Sequence, residues 1–258
     1  MSKFGLLGGR LGHSFSVDIH NEYYKLIGEK STYELIEIPD SNDVGDFIKS
    51  LSQKGFSGIN VTIPYKTLVM DYLHHISDEA KKIGAVNTIM VENEKLIGFN
   101  TDYFGFSETL CKNDIHVNGQ NVYVLGTGGA SKAISALCED RGAKVIFVSR
   151  TPSYNAISYD ELKKANGGIL VNCTPVGMYP DIDSTPVNSV DNFDAVVDIV
   201  YNPTKTKLLK IAESCGVKGV NGLYMLVAQA VCAENIWHKF NSEANISDKI
   251  FHKLYGAE

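Results

Sequence analysis

The chain has 258 residues, 44% apolar and 21% charged, with 24 Lys plus Arg against 30 Asp plus Glu and a net charge of −6. That is enough chain for one large or two smaller domains with packed cores, and the balance excludes collagen-like and largely disordered classes. The acidic sign argues against a nucleic-acid binder, no uncharged stretch approaches the ~18–20 apolar residues of a membrane span, and the start MSKFGLLGGR is too short and glycine-rich for a signal peptide.

Residues 3–8, KFGLLG, read as a short buried strand. SVDIHNEYYKLI (16–27) reads as a helix with Ser16 as N-cap and Ile19, Tyr23, Leu26 and Ile27 on one face. TYELIEI (32–38) alternates as a strand. DVGDFIKSLSQKG (43–55) is helical, with Val44, Phe47, Ile48 and Leu51 on one stripe and Gly55 as its stop. GINVTIP (58–64) is β-branched and ends at Pro64; helical YKTLVMDYL follows, then a second helix near DEAKKIG headed by Asp78 as a cap candidate. A strand pair spans AVNTIMVENEKLIGF, with Glu-Asn-Glu-Lys as its turn. Beyond it, NVYVLG (121–126), KVIFVS (144–149), GILVNCT, DAVVDIV and KGVNG are strands, alternating with helices ASKAISALCEDR (130–141), SYDELKKAN and TKTKLLKIAESCG. Such alternation implies parallel sheets and an α/β fold. Residues 223–258 lack strand signals and are expected to be helices that pack back onto the first domain.

GTGGAS (126–131) ends a strand and opens a helix, where glycines let backbone approach a pyrophosphate and the helix start offers unpaired N–H groups. The match to GxGxxG is imperfect, since Ser131 takes the sixth place. At the end of the next strand an NAD site would carry Asp or Glu; here the residues are Ser149, Arg150 and Thr151. No carboxylate repels a 2′-phosphate, and Arg150, one of three arginines, matches phosphate geometry, which favours NADP. The alternative is a solvated surface arginine.

In the first hundred residues, polar side chains interrupt apolar elements. HSFS (13–16) puts two hydroxyls at a helix start, a place for an anion or for ordinary caps. NVTIPYK (60–66) carries Asn60, Thr62 and Lys66; VNT (86–88) and FNTD (99–102) set amides and a carboxylate in β-like runs. Buried polar groups need partners, so these are networks or sites. His74 and His75, adjacent in a helix, do not share a face and read as surface residues; Cys173 reads as a small buried residue and Trp237 as core. Five scattered cysteines without a CxxC pair indicate neither a zinc site nor a disulfide framework, which suits a reducing cytoplasm.

In order along nearly the whole chain, GHSFSVDIHN, GINVTIPYK, GAVNTI, GFNTDYFGF, VLGTGGASKAI, SRT, NCTPVGM, DIVYNPTKTKLL and NGLYMLVAQA resemble shikimate dehydrogenases. The resemblance implies a substrate-binding and catalytic domain of residues 1–102 with 226–258, and a Rossmann-type NADP-binding domain of 103–225. It implies reversible reduction of 3-dehydroshikimate to shikimate with NADPH, on the route to aromatic amino acids, by a cytoplasmic monomer or homodimer with no nucleic-acid or membrane partner and no metal. By the same resemblance Ser14 and Ser16 hold the substrate carboxylate, with Tyr201 at that end. Asn60, Thr62, Lys66, Asn87, Asp102 and Gln229 bind the ring hydroxyls and reacting carbonyl. Gly126, Thr127, Gly128, Gly129, Ala130 and Ser131 hold the pyrophosphate, and Ser149, Arg150 and Thr151 the 2′-phosphate. Ile199, Gly222 and Met225 line the nicotinamide pocket, and Asp78 lies near the cofactor.

Hydride transfer to a ketone builds negative charge on oxygen, so a donor must stabilise and protonate it. Lys66 is the ionisable donor of its motif, and the resemblance pairs it with Asp102. Three positions depart from the family pattern: Val17 replaces Pro, Tyr154 replaces a second basic residue of the NADP motif, and Tyr224 replaces Gly. The second weakens the expected preference for NADP over NAD. The third either narrows the cofactor slot or faces the core. Quinate dehydrogenases share most of the motifs; a non-catalytic NADP-binding regulator would have lost Lys66 and Asp102; HSFS and FNTD argue against a methylene-tetrahydrofolate enzyme. By segment the net charge is −4 over residues 1–102, −1 over 103–225 and −1 over 226–258. An anionic substrate must therefore be recognised by a few directed hydrogen bonds, since bulk attraction is lacking.

Overall fold

The computed structural model describes residues 1–12, 14–151 and 156–256, and the chain divides between two units: Met1–Gly105 with Val227–Glu258, and Phe106–Leu226. Tyr154 lies outside the described residues, as does His13. The first unit runs β1 (Lys3–Gly8), α1 (Ser16–Ile27), β2 (Thr32–Glu37), α2 (Val44–Lys49), β3 (Gly58–Val61), β4 (His75–Ile76), α3 (Asp78–Ile83), β5 (Thr88–Glu92), β6 (Lys95–Phe99) and the start of α4 (Asp102–Lys112). In the second follow β7 (Asn121–Leu125), α5 (Gly129–Asp140), β8 (Lys144–Val148), β9 (Ala156–Ile157), α6 (Tyr159–Leu162), β10 (Ile169–Asn172), β11 (Ala195–Asp198), α7 (Lys207–Ser214) and β12 (Lys218–Asn221). The chain crosses back within α8 (Leu223–His238) and ends with α9 (Ile246–Tyr255), which packs on α1.

The sheet of the first unit has the order β2-β1-β3-β5-β6-β4 and is mixed: β1 pairs in parallel with β2 and β3, whereas β5 is antiparallel to both β3 and β6. Asn93 and Glu94 take positive φ (48° and 63°), the geometry of a tight hairpin turn between β5 and β6. One face buries Leu7, Ile48, Leu51, Ile59, Val69 and Ile89, each such side chain contributing about 1.5–3 kcal/mol by removal from water. Across the unit, Trp237 of α8 stacks on Phe4 at 4.5 Å and donates from its indole N–H to the Ile89 carbonyl at 3.0 Å. Buried Glu234, also on α8, meets His20 of α1 at 2.5 Å. Burial alone would raise the Glu234 carboxyl, but hydrogen bonds from His20 and His238 hold it below the usual range.

The sheet of the second unit is parallel throughout, in the order β12-β11-β10-β7-β8-β9. Counted from β7 as the first strand, that is the doubly wound arrangement, which reverses direction between β7 and β10.

Several local expectations change. Helix α1 begins at Ser16 itself, because Phe15 already turns (φ −84°, ψ 0°); Ser16 is not its N-cap. For α3 the cap is Ser77, whose hydroxyl accepts from the Ala80 N–H, and Asp78 is the first helical residue. The 43–55 helix is reduced to α2, because the Ser50 hydroxyl donates back to the Phe47 carbonyl and the chain tightens into turns up to Gly55. Residues 68–72 form a 3₁₀ helix that follows β-branched Thr67 and contains Val69, and His75 belongs to the short strand β4. FNTD is not wholly β: Asp102 opens α4.

Gly58 faces Trp237 so closely that an added Cβ would overlap the indole. Replacing Gly58 by Ala is expected to cost about 1–3 kcal/mol through overpacking, read as a lower urea midpoint with unchanged slope; an unaltered midpoint would show that the indole moves freely.

Candidate active site

In the first unit, β3, β5 and α4 bring the polar motifs together. Antiparallel register sets Asn60 opposite Thr88, and Thr88 opposite Phe99. After β3 the chain turns through a cis Ile63–Pro64 bond and returns Lys66 beside Asp102, with Nζ 2.6 Å from Oδ2. Both side chains are largely buried, at 13% and 7% exposure. Asp102 is fixed from the other side, where its Oδ1 accepts from Asn87 Nδ2 at 3.0 Å, while its backbone N–H donates to Asn100 Oδ1.

Asn87, 2% exposed, is the hub. Its Oδ1 accepts from the Thr101 N–H (2.7 Å) and the Thr88 hydroxyl (3.0 Å), and its Nδ2 also reaches Thr101 Oγ1 (3.0 Å) and Gln229 Oε1 (3.5 Å). Asn60 donates from Nδ2 to Thr88 Oγ1 and the Asn87 carbonyl and accepts from the Tyr33 phenol at 2.8 Å. Ser14 and Ser16 stand at the start of α1: the Ser14 hydroxyl accepts from the Ser16 N–H, and the two hydroxyls are 3.1 Å apart. The preceding turn is anchored where the Leu11 N–H donates to Glu37 Oε2 (2.8 Å) and the Ser14 N–H to the Leu11 carbonyl. Half-buried Thr62 sits at the end of β3. Asp78 is set out on the surface, paired with Lys81 at 3.4 Å. Thr88, Thr101 and Tyr33 are working members of this network that motif reading passed over; the signal was their polarity within buried runs.

The second unit presents a different surface. Gly126, at the end of β7, has φ +96°, and a Cβ there would come 3.1 Å from the Thr174 methyl. Gly128 caps the twelve-residue α5 without any side-chain hydrogen bond, so no capping side chain competes for the first-turn N–H groups of Gly129, Ala130 and Ser131. Thr127 is exposed beside them. Ser131 is fully buried in the place of the third glycine, and its hydroxyl donates to the Gly128 carbonyl at 2.7 Å. Ser149 accepts from the Thr151 N–H, and Arg150 is exposed at the end of β8. Ile199 and Tyr201 follow β11; Gly222 lies so close to the Ile199 carbonyl that no Cβ fits, and Met225 is buried. Tyr224 is 7% exposed with Lys112 over its ring, so its ring packs into the unit. All five cysteines are free thiols, and among the described residues no group of three or more His, Cys, Asp or Glu is placed to hold a metal. Nor is any described helix long and apolar enough to cross a membrane.

A doubly wound sheet with a glycine turn at its switch point, in a chain whose other unit buries a lysine–carboxylate pair, places the chain among α/β proteins of two units, one of them Rossmann-type. The model of the shikimate dehydrogenase substrate binding domain matches residues 6–89. The shikimate dehydrogenase (NADP(+)) of Clostridium beijerinckii is 44% identical over 267 residues, covering 99% of this chain and 97% of that protein. Among solved structures, a chorismate mutase/shikimate 5-dehydrogenase fusion protein from Clostridium acetobutylicum is 41% identical with a TM-score of 0.94, covering 99% of this chain and 98% of that one. The shikimate 5-dehydrogenase of Thermus thermophilus, solved in complex with NADP(H) and shikimate, is 30% identical with a TM-score of 0.86, covering 98% of this chain and 99% of that one. The chain belongs to the shikimate dehydrogenase family.

Because Asn87 satisfies several buried partners at once, Asn87→Ala is expected to lower stability by about 1–3 kcal/mol, the cost of stranding buried donors. Chemical denaturation measures it, and a midpoint equal to wild type would mean that water replaces the carboxamide.

Proposed function

We propose that this chain is an NADP-dependent shikimate dehydrogenase that reversibly reduces 3-dehydroshikimate to shikimate. The observation that carries this reading is the Lys66–Asp102 pair at 2.6 Å, largely buried and held by Asn87. A non-catalytic relative would have no need to bury that pair.

The second unit fits the cofactor. Gly126 takes a positive φ with Thr174 against the place of its missing Cβ, Gly128 faces open space, and the start of α5, uncapped by any side chain, offers N–H groups to a pyrophosphate. Gly126, Thr127, Gly128, Gly129, Ala130 and Ser131 would hold that group; Ser149, Arg150 and Thr151 the 2′-phosphate; and Ile199, Gly222 and Met225 the nicotinamide. By the family resemblance Asp78 would lie near the cofactor and Tyr201 near the substrate carboxylate. When bound, NADPH supplies the hydride that the ketone carbon receives.

The protein's own part is proton transfer and positioning. Lys66 Nζ donates to the carbonyl oxygen as negative charge grows there, and takes the proton back in the reverse direction. Asp102 pairs with the Lys66 ammonium at 2.6 Å and keeps it aimed. Ser14 and Ser16 hold the substrate carboxylate with hydroxyls, while Asn60, Thr62, Asn87 and Gln229 orient the ring. With a net charge of −6 no nucleic-acid partner is proposed, and the five free thiols suit a cytoplasmic protein, acting as a monomer or homodimer.

Arg150 is the single cation of the 149–151 stretch, which supports use of NAD beside NADP; a kcat/KM ratio near one for the two cofactors would establish that relaxed choice, and a large ratio would refute it. Assaying shikimate and quinate with each cofactor separates the two substrate readings.

Lys66→Ala is expected to lower kcat by roughly 10²–10⁴-fold with little change in KM for shikimate, because a transition-state interaction is lost. Near-normal turnover would remove Lys66 from the mechanism. Ser14→Ala or Ser16→Ala is expected to raise KM for shikimate roughly tenfold, the loss of one hydrogen bond to a charged group; unchanged KM in both would contradict carboxylate recognition at α1.

A further inference from the structure

The second unit buries a carboxylate that the reaction does not use. Asp198, the last residue of β11, has no exposed surface, and no cation pairs with it among the described residues. Its partners are three donors: Asn172 Nδ2 reaches Oδ1 at 2.9 Å, the Val200 N–H reaches the same oxygen at 3.1 Å, and the Thr206 hydroxyl reaches Oδ2 at 2.7 Å. Burying a carboxylate without a cation costs folding free energy that hydrogen-bond donors offset only in part.

What it imposes lies along the carboxyl ends of the strands. Asn172 ends β10, and its Oδ1 accepts from both the N–H (3.0 Å) and the hydroxyl (2.7 Å) of Thr174. The Thr174 methyl is the atom nearest to the missing Cβ of Gly126. On the other side Val200 and Thr206 bracket the loop that carries Tyr201, and the Ile199 N–H donates to the Asn172 carbonyl at 3.1 Å. Asn221 Nδ2 ties Thr204 of the same loop to the end of β12. One carboxylate therefore ties the end of β10 to the segment that follows β11, and Asn221 ties that segment to β12.

We propose that Asp198 is a positioning residue for NADP: its three hydrogen bonds hold the Thr174 turn against the glycine loop and the 199–206 loop in the place that receives the nicotinamide. This rests on the assignment of the second unit as the cofactor-binding one. Burial pushes the Asp198 carboxyl up to about 6, with the hydrogen bonds from Thr206, Val200 and Asn172 pulling the other way. Those donors hold the group, and its loss takes the acceptor from the Val200 N–H and from one N–H of the Asn172 amide.

The test is calorimetric titration of the full-length chain with NADP⁺ at pH 7.5, for wild type, Asp198→Asn, Asp198→Ala and Thr206→Val. Asp198→Ala is expected to raise Kd about tenfold, the loss of a buried acceptor with several donors. Asp198→Asn, whose Oδ1 still accepts from Asn172 and Val200 and whose amide donates to Thr206, is expected to recover affinity to within about threefold of wild type. Thr206→Val removes the Oδ2 contact together with the cap on the Leu209 N–H of α7; it leaves the two Oδ1 contacts and is expected to fall between them, which keeps the test open if Asp198→Ala does not fold. A purely structural role would lower the binding stoichiometry, through loss of folded protein, and leave Kd at the wild-type value; that result, or equal Kd values for all folded variants, overturns the proposal. If wild type itself fails to bind NADP⁺, the cofactor assignment falls and the proposal with it.

Discussion

A buried carboxamide carries donors and acceptors in one rigid plane, and Asn87 uses both at once. Its oxygen collects the Thr101 N–H and the Thr88 hydroxyl, while its nitrogen faces Asp102 and Gln229. Because Asp102 fixes Lys66, the position of the one ammonium in the cluster is inherited from an amide that bears no charge. Rotating that amide by half a turn would point a donor at the Thr101 N–H and an acceptor at a carboxylate. The arrangement therefore has a single satisfied state, and the low dielectric around it makes every other state costly.

The same principle governs the second unit with different atoms. Asp198 accepts where Asn87 mixes roles, and its neighbours are all donors or can become so. Asn87 stands just before β5 and Asp198 ends β11, each where a strand meets a connecting segment. Their side-chain hydrogen bonds fix how the chain enters one sheet and leaves the other. Recognition of anions falls to hydroxyls, helix N–H groups and a solitary arginine, consistent with a chain whose net charge is negative.

Much of the fold was legible because its signals are local. The alternation in 32–37, the β-branched run 58–61, the Asn93–Glu94 turn and the 129–140 helix follow from propensity and period alone. Misreadings arose where tertiary partners overrule such signals. Ser16 looks like a cap until Phe15 turns first; Asp102 looks like a strand residue until Asn100 captures its N–H and starts a helix. The glycine turn and the motif residues of the candidate site were visible as polar interruptions, and the resemblance gave them roles. Tyr33, Thr101 and Asp198 escaped notice, since their importance is a matter of register: Asn60 meets Thr88, and Asn172 meets Asp198, only once the strands pair.

The first unit is discontinuous, with residues 106–226 inserted between its two parts. Its sheet is complete by residue 99, yet the Trp237 indole that covers Phe4 and the Glu234 that meets His20 come more than a hundred residues later. During synthesis the order of completion is therefore inverted. The contiguous second unit has all its strands once residue 221 has emerged, while the earlier-made sheet has α1 on the face around Phe4 but lacks Trp237 there until α8 arrives. For that interval a chaperone would meet the amino-terminal half as the exposed client and the middle of the chain as the finished product.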